Sequence, residues 1–246
     1  MIVAHRGASR HAPENTIPAF KLAWESGADA IEGDFQLTRD GKIVCIHDSN
    51  TRRIAVKKMT IKEATLEELR TLDVGAWFGK AWQGTHIPII SEVLSTIPPG
   101  KTIYIEIKSG EEIIAPLFEE IEKSGLETGQ IVVISFNGEI IRTLKAQAPQ
   151  FKAFWLSDFK KGRSGDVTPS LTTILDTLER TRADGLSSTY KLIDESIISA
   201  IRAQGYEYHV WTIDDVGRAR KFKRWGAQSI TTNDPLYLRK HMADLS

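Results

Sequence analysis

Short apolar runs alternate along this chain with segments whose apolar residues recur every three to four positions. The short runs predict buried strands, and the helical spacing predicts amphipathic helices that cover them. Eight strands are predicted, at Ile2–His5, Ala28–Phe35, Thr102–Lys108, Ile131–Phe136, Phe151–Ser157, Asp184–Ser188, Glu207–Ile213 and Gln228–Thr232. Helices are predicted between most of them, among them Ile113–Lys123, Gly138–Gln147, Leu171–Thr181, Asp194–Gln204 and Val216–Trp225.

This alternation predicts the fold class. Eight strands with intervening helices in a chain of 246 residues are typical of an α/β fold, the (β/α)8 TIM barrel. The alternative is an open doubly wound sheet, but no glycine-rich G-x-G-x-x-G turn follows any predicted strand. We therefore expect one barrel domain over residues 1–246, with the carboxyl ends of its strands meeting at one rim.

The stretch from about residue 36 to residue 100 interrupts the alternation between predicted strands 2 and 3. It is too long for an ordinary connection between a strand and a helix. We predict in it a hairpin near Lys42–Cys45 and Ile54–Lys58 and two short helices, one of them opened by the capping box at Thr65–Glu68. An insertion in this position usually forms a lid or a small substrate-binding subdomain.

Composition narrows the partners and the compartment. The 32 basic and 32 acidic side chains cancel, so the balance of charge favours neither nucleic acid nor an anionic membrane. No apolar run approaches the ~20 residues that span a bilayer. The single cysteine, Cys45, fits a reducing compartment, and the first strand begins at once without a signal peptide. We expect a cytoplasmic protein, with a processed mature chain as the alternative; composition does not predict the oligomeric state.

Three carboxylates lie on predicted strands with a spacing that points them inward. Glu32 and Asp34 are two residues apart and therefore share one face of their strand, and Glu106 shares a face with Lys108 on the next. Three converging carboxylates form a hard oxygen site suited to Mg2+ or Ca2+. The alternative is that these acids form buried ion pairs with Arg6 and Lys108.

Two histidines and two cations complete the candidate chemistry. His5 ends the first strand and His47 follows the predicted hairpin, so one imidazole could accept a proton while the other donates one. Arg6 could grip a phosphate oxygen pair and Lys108 could add a point charge. Trp211 either lines the mouth of the barrel, where it would contact the substrate, or fills its upper layer.

At these residues the chain resembles the glycerophosphodiester phosphodiesterase family. The resemblance covers nearly the whole chain, and the joint order of its motifs is highly specific although each motif alone is weak. The motifs are Ala4-His5-Arg6-Gly7, Pro13-Glu14-Asn15-Thr16, Glu32-Gly33-Asp34, Ile46-His47-Asp48, Ile105-Glu106-Ile107-Lys108, Val210-Trp211-Thr212 and Thr232-Asn233-Asp234-Pro235.

The resemblance implies a barrel of the phosphodiesterase type, one divalent cation, and hydrolysis of glycerophosphodiesters to an alcohol and glycerol 3-phosphate. It implies that the metal ligands are Glu32, Asp34 and Glu106. It also implies that His5 and His47 act as the general acid and base, without indicating which is which.

The same resemblance implies that Arg6 and Lys108 bind the phosphate and that Glu14 belongs to the metal or substrate network. Two other activities remain alternatives at this point. One is a lysophospholipase D-like phosphodiesterase, which would need an apolar entrance for a lipid. The other is a barrel that binds phosphate esters but has lost turnover.

Overall fold

Eight parallel strands close into a barrel in the computed structural model, which describes residues 1–163 and 165–242. The strands in chain order are β1 (Ile2–Ala4), β2 (Ala30–Leu37), β3 (Ile43–Cys45), β4 (Thr102–Ile107), β5 (Ile131–Ser135), β6 (Lys152–Ser157), β7 (Lys160–Lys161), β8 (Val167–Thr168), β9 (Gly185–Thr189), β10 (Glu207–Trp211) and β11 (Ser229–Thr232). The barrel order is β1-β2-β4-β5-β6-β9-β10-β11, and β11 pairs with β1 to close it. The predicted (β/α)8 barrel is confirmed, and the open sheet is wrong.

Helices follow most of the barrel strands and cover the outside. They are α1 (Ile17–Glu25), α2 (Leu66–Arg70), α3 (Ile90–Leu94), α4 (Ile114–Ser124), α5 (Gly138–Gln147), α6 (Leu171–Thr181), α7 (Glu195–Ala203), α8 (Val216–Arg224) and α9 (Pro235–Met242). The Thr16 hydroxyl caps α1 by accepting from the Ala19 amide, and the predicted capping box at Thr65 opens α2. No helix in the described ranges is long and apolar enough to cross a bilayer.

The side chains of β2 alternate between two environments. Ile31 and Phe35 point outward into the apolar layer between the strands and the helices, where Phe20 of α1 also lies. Glu32 and Asp34 point inward and are almost fully buried. Below them the barrel is filled by a separate apolar cluster, which includes Val3, Ala30, Tyr104, Val132 and Phe154.

The segment between β2 and β4 has an apolar cluster of its own. That cluster consists of Val44, Ile46, Ile54, Ile61, Ala64, Leu69, Leu72, Val74 and Ile87. β3 pairs antiparallel with the end of β2, so that Phe35 faces Cys45 and Leu37 faces Ile43. That residues from about 36 to 100 form a small subdomain within one barrel domain stays a prediction.

The predicted pairing of Lys42–Cys45 with Ile54–Lys58 is wrong. β3 pairs with β2 instead, because the turn at residues 38–41 is short and closed by hydrogen bonds: the Lys42 amide donates to Thr38 Oγ1 at 2.9 Å, and Gly41 adopts φ +72°. Residues 54–58 are irregular and contain no strand. The β7–β8 hairpin was not predicted, because its four paired residues are mostly polar and show no strand pattern.

Candidate active site

A cavity of about 180 Å³ opens at the carboxyl end of the barrel. Its wall has two chemically distinct halves. The ionisable half consists of His5, Arg6, Glu32, His47, Glu106 and Lys108. The other half is mainly apolar and aromatic, and includes Tyr104, Ile134, Phe136, Leu156 and Trp211. All six side chains of the ionisable half were predicted from the sequence as site residues, whereas most of the apolar half was not.

The register between β2 and β4 brings the three predicted carboxylates together. Asp34 lies directly opposite Glu106, and Glu32 lies opposite Tyr104 one layer deeper. One ligand oxygen from each of Glu32, Asp34 and Glu106 lies within 4.8 Å of the others. All three residues are buried, so their negative charges interact strongly.

Two cations partly neutralise this cluster. Arg6 Nε lies 3.2 Å from Asp34 Oδ2, and Lys108 Nζ lies 3.3 Å from Asp34 Oδ1 and 2.7 Å from Glu106 Oε1. Burial alone would raise the pKa of Asp34, but Arg6 and Lys108 outweigh burial and hold that pKa below its usual range. The ion pairs foreseen as the alternative to a metal site are thus present at Asp34 and Glu106.

Those ion pairs leave Glu32 poorly compensated. Its Oε2 accepts the backbone N–H of Arg6 at 2.9 Å, whereas its Oε1 is buried with no hydrogen-bond partner in the described part of the chain. Burial, together with the neighbouring Asp34 and Glu106, raises the pKa of Glu32. Burial and Asp34 likewise raise the pKa of Glu106 to about 7.

A divalent cation fits this arrangement. The carboxylate oxygens of Glu32, Asp34 and Glu106 are hard ligands of the kind that Mg2+ and Ca2+ prefer. The free Oε1 of Glu32 supplies an unused lone pair at the centre of the cluster. Burial is the main cause that raises the pKa of Glu32 and of Glu106, and neighbouring carboxylates raise both further; a bound cation would offset that negative charge.

The turn after β1 positions Arg6. Arg6 and Gly7 have φ values of +55° and +80°, so two consecutive residues adopt left-handed backbone. A Cβ on Gly7 would lie 2.6 Å from the carbonyl carbon of Ala19, which only glycine avoids. This tight turn aims the Arg6 amide at Glu32 and lets the Arg6 guanidinium reach Glu14 at 2.9 Å.

His5, which follows β1, is fixed by contacts with Thr232 and Asn233 near the other end of the chain. Its amide donates to the Thr232 carbonyl at 2.8 Å, and its ring Nδ1 lies 2.7 Å from Asn233 Oδ1. Asn233 is itself held by Asp214, which accepts from Asn233 Nδ2 at 2.8 Å, so Oδ1 faces the ring as an acceptor. This assigns the proton to Nδ1 and leaves Nε2 as a base; burial and Arg6 lower the pKa of His5 to about 4.

His47 reaches the same cavity from the segment after β3. The Gln36 side-chain amide donates to the carbonyls of Ile46 and Asp48, each at 2.8 Å, and so fixes the backbone on both sides of His47. The His47 ring Nδ1 lies 2.7 Å from Asp48 Oδ1. This contact with Asp48 fixes the orientation of the His47 ring.

Three residues that sequence reasoning did not assign to the site support it. Thr16 caps α1, whereas its neighbour Asn15 donates to Asp34 Oδ2 at 2.8 Å. Asn233 and Arg53 hold other site residues in place. A local signal exists at Asn15, because Asn and Thr are both helix-capping residue types and α1 needs only one cap. Asn233 contacts His5 and Arg53 contacts Glu14, and both partners are far away in sequence.

Trp211 lies at the carboxyl end of β10 and lines the cavity. Its ring packs edge-on against Phe136, with 5.8 Å between the ring centroids. It also contacts the apolar cluster inside the barrel, so it both borders the mouth and covers the upper layer. Direct contact of Trp211 with a substrate stays a prediction.

The fold and the site define a (β/α)8 barrel enzyme with an acidic cluster at its carboxyl rim. The model of the Glycerophosphoryl diester phosphodiesterase family matches residues 5–237, and the chain therefore belongs to this family. It is 34% identical over 96% of its length to the Glycerophosphodiester phosphodiesterase of Caldanaerobacter subterraneus subsp. tengcongensis, of which 94% is covered. A Glycerophosphodiester phosphodiesterase of Bacillus subtilis is 29% identical over 96% of this chain and 84% of its own.

Solved structures agree with the assignment. An Oleispira antarctica phosphodiesterase, in complex with the product sn-glycerol-3-phosphate, superposes with a TM-score of 0.89 at 27% identity and covers 99% of this chain and 96% of that one. The Thermotoga maritima glycerophosphodiester phosphodiesterase superposes with a TM-score of 0.77 at 26% identity. The superposition covers 97% of this chain and 96% of that one.

Proposed function

We propose that this protein hydrolyses glycerophosphodiesters to an alcohol and glycerol 3-phosphate with the help of one divalent cation. The observation that carries the proposal is that two imidazoles, two cationic side chains and two of the three clustered carboxylates, Glu32 and Glu106, border one cavity of about 180 Å³. The names of the relatives and the glycerol phosphate in the Oleispira antarctica structure support the same substrate class.

The site binds a phosphodiester through complementary charge. The cation would be held by Glu32, Asp34 and Glu106, and when bound it supplies positive charge that polarises the phosphate and lowers the pKa of a nearby hydroxyl. Arg6 and Lys108 line the cavity and stabilise the negative charge that develops on the phosphate oxygens during displacement.

The two histidines divide the proton transfers. We assign His5 as the general base, because its Nδ1–H is committed to Asn233 and its low pKa of about 4 keeps Nε2 unprotonated at neutral pH. We assign His47 as the general acid, because Asp48 holds its Nδ1 at 2.7 Å and leaves Nε2 to donate a proton in the cavity. His5 then removes the proton from the attacking oxygen, and His47 protonates the departing alcohol.

The attacking oxygen is either water or the 2-hydroxyl of the glycerol group. Attack by the 2-hydroxyl would form a cyclic phosphate, which water then opens in a second step with the same two histidines. Single-turnover reactions quenched at early times separate the two routes, because the cyclic phosphate accumulates only when the 2-hydroxyl attacks.

The proposal is tested by an assay that couples glycerol 3-phosphate release to a dehydrogenase. We expect release from glycerophosphocholine or glycerophosphoethanolamine, loss of release in EDTA, and recovery with added Mg2+ or Ca2+. A protein that binds these esters but releases no glycerol 3-phosphate with either cation would instead be a phosphate-ester-binding barrel. Release that is unchanged by EDTA would exclude the metal role.

A second substrate class is favoured by the apolar half of the cavity. Phe136 is 47% exposed and packs on Trp211, so the entrance has an apolar edge. Such an edge would contact the acyl chain of a lysolipid, as in a lysophospholipase D-like activity. Choline release from lysophosphatidylcholine, compared with release from glycerophosphocholine at equal concentration, decides between the two classes.

A further inference from the structure

We propose that Arg53, in the segment between β3 and α2, is a positioning residue that holds both His47 and Arg6 in their working orientations. The proposal rests on the proposed function of the site and adds a residue to it. Arg53 Nε donates to Asp48 Oδ2 at 2.8 Å. Its two terminal nitrogens donate to the two oxygens of Glu14 at 2.7 and 2.8 Å.

Each of these carboxylates holds a different residue of the cavity wall. The second oxygen of Asp48, Oδ1, lies 2.7 Å from His47 Nδ1. Glu14 Oε1 also accepts from Arg6 at 2.9 Å. One guanidinium therefore links His47, through Asp48, with Arg6, through Glu14.

The geometry depends on the shape of the guanidinium. A planar fork can pair with Glu14 through two parallel hydrogen bonds and still offer Nε to Asp48. A lysine ammonium is a single point charge on a flexible stem, and it cannot span both carboxylates in this way. Glu14 is largely buried, whereas Arg53 is 41% exposed in its side chain, so Arg53 closes the network from the solvent side.

The backbone around Arg53 is built to hold it. Thr51 is fully buried; its amide donates to the Met59 carbonyl at 3.0 Å and its hydroxyl to the Lys57 carbonyl at 2.6 Å. These bonds tie the two ends of the turn that presents Arg53. The segment inserted between β2 and β4 therefore contributes a rigid support for residues of the barrel.

Removal of Arg53 has a defined chemical consequence at His47. The Asp48 carboxylate would lose its charged partner and could rotate toward water, away from His47 Nδ1. The ring would then no longer be restricted to the form that carries its proton on Nδ1 and directs Nε2 away from Asp48. On the other side, Glu14 would keep Arg6 as a partner but lose its bidentate anchor.

The test compares Arg53→Ala, Arg53→Lys and Arg52→Ala in the full chain. Arg52 is the matched control, since it is an exposed neighbour whose backbone amide, rather than its side chain, bonds Asn50. Two quantities are measured: kcat for glycerophosphocholine with Mg2+ or Ca2+, and the 15N chemical shifts of the His47 ring nitrogens, which His47→Gln identifies by their loss.

We expect Arg53→Ala to lower kcat by about 10- to 100-fold, the usual scale for a residue that supports a catalytic group. The His47 Nδ1 shift should move away from its wild-type value, because Asp48 no longer holds the ring in one orientation. Arg53→Lys should give intermediate values of both quantities, and Arg52→Ala should leave both unchanged.

Wild-type kcat and wild-type His47 ring shifts in Arg53→Ala would overturn the proposal. If circular dichroism shows that Arg53→Ala is unfolded, Arg53→Lys decides, and wild-type values of both quantities there would overturn it equally. The ring shifts do not depend on turnover. A wild-type protein that releases no glycerol 3-phosphate would therefore refute the proposed function, while the ring shifts still test the role of Arg53.

Discussion

Two histidines of the same barrel, one half-buried at the rim and one fully buried, have similar local chemistry and different proposed roles. His5, at the rim, places its Nδ1 2.7 Å from Asn233 Oδ1. His209, deeper in β10, places its Nδ1 2.7 Å from Ser229 Oγ. Burial is the main cause that lowers the pKa of both.

The difference lies in what surrounds the second ring nitrogen. His209 packs on Phe154 with 4.0 Å between ring centroids, and its Nε2 lies 3.4 Å from Glu207. His5 instead lines the cavity, and its Nε2 makes none of the hydrogen bonds among the described residues. A perturbed pKa alone therefore does not single out a candidate catalytic histidine; a place in the wall of the cavity at the carboxyl rim distinguishes His5 from His209.

The largest expected effect tests the rim side of this comparison. We expect His5→Gln to lower kcat for glycerophosphodiesters by roughly 10²–10⁴-fold, because it removes the proposed general base. The free energy of unfolding should change little, since the side chain borders a cavity. Steady-state kinetics and urea unfolding measure the two quantities. Wild-type turnover in a folded His5→Gln protein would remove His5 from the mechanism.

The acidic cluster gives the next effect, through pH. The pKa of Glu106 is raised to about 7 by burial and Asp34, so below pH 7 a cation must displace a proton to bind. Cation affinity should therefore rise as the pH increases from 5 to 7, because fewer proteins carry a proton on Glu106 that the cation must displace. Isothermal titration of Mg2+ or Ca2+ into the protein at several pH values measures this dependence.

Glu106→Gln is the matched variant for that experiment. It removes the titrating carboxylate while keeping the size of the side chain, so cation binding should be weaker and its pH dependence should be shallower. An affinity that falls as the pH rises from 5 to 7, or that is equal in both proteins, would contradict the cation site.

The deeper histidine should show the opposite pattern to His5. We expect His209→Ala to destabilise the protein by about 2–4 kcal/mol, because it leaves a cavity beside Phe154 and removes the ring partner of Ser229. The kcat of the folded fraction should stay near that of the wild type. Urea unfolding and the coupled assay check both points. A large loss of kcat without loss of stability would abolish the contrast between the two rings.

The smallest effect concerns the support of His5. Asn233→Ala removes the acceptor of the His5 Nδ1–H and should lower kcat by about tenfold, since the ring loses its fixed tautomer. Ser9→Ala is the control: it removes only the 3.1 Å hydrogen bond from Ser9 to the same Asn233 oxygen, and kcat should be unchanged. Equal kcat values for the two variants would show that Asn233 does not orient His5.

The sequence by itself determined the barrel and the direction of the acidic side chains. The two-residue period of a strand fixes which side chains share a face, so Glu32 and Asp34 had to lie together inside once Ile31 and Phe35 packed outside. The same period places His209 inside the barrel, where it is almost fully buried. The motifs were sufficient to indicate the family, which the comparisons confirm.

Only the tertiary structure decided how these groups are held and what compensates them. His5 and Asn233 are 228 residues apart and meet because β11 pairs with β1 to close the barrel. Arg53 and Glu14 are 39 residues apart and meet because the inserted segment folds back over the rim. The strand partner of β3 was predicted wrongly for a related reason. Local periodicity specifies the face of a side chain, whereas a contact between distant segments depends on how the whole chain closes.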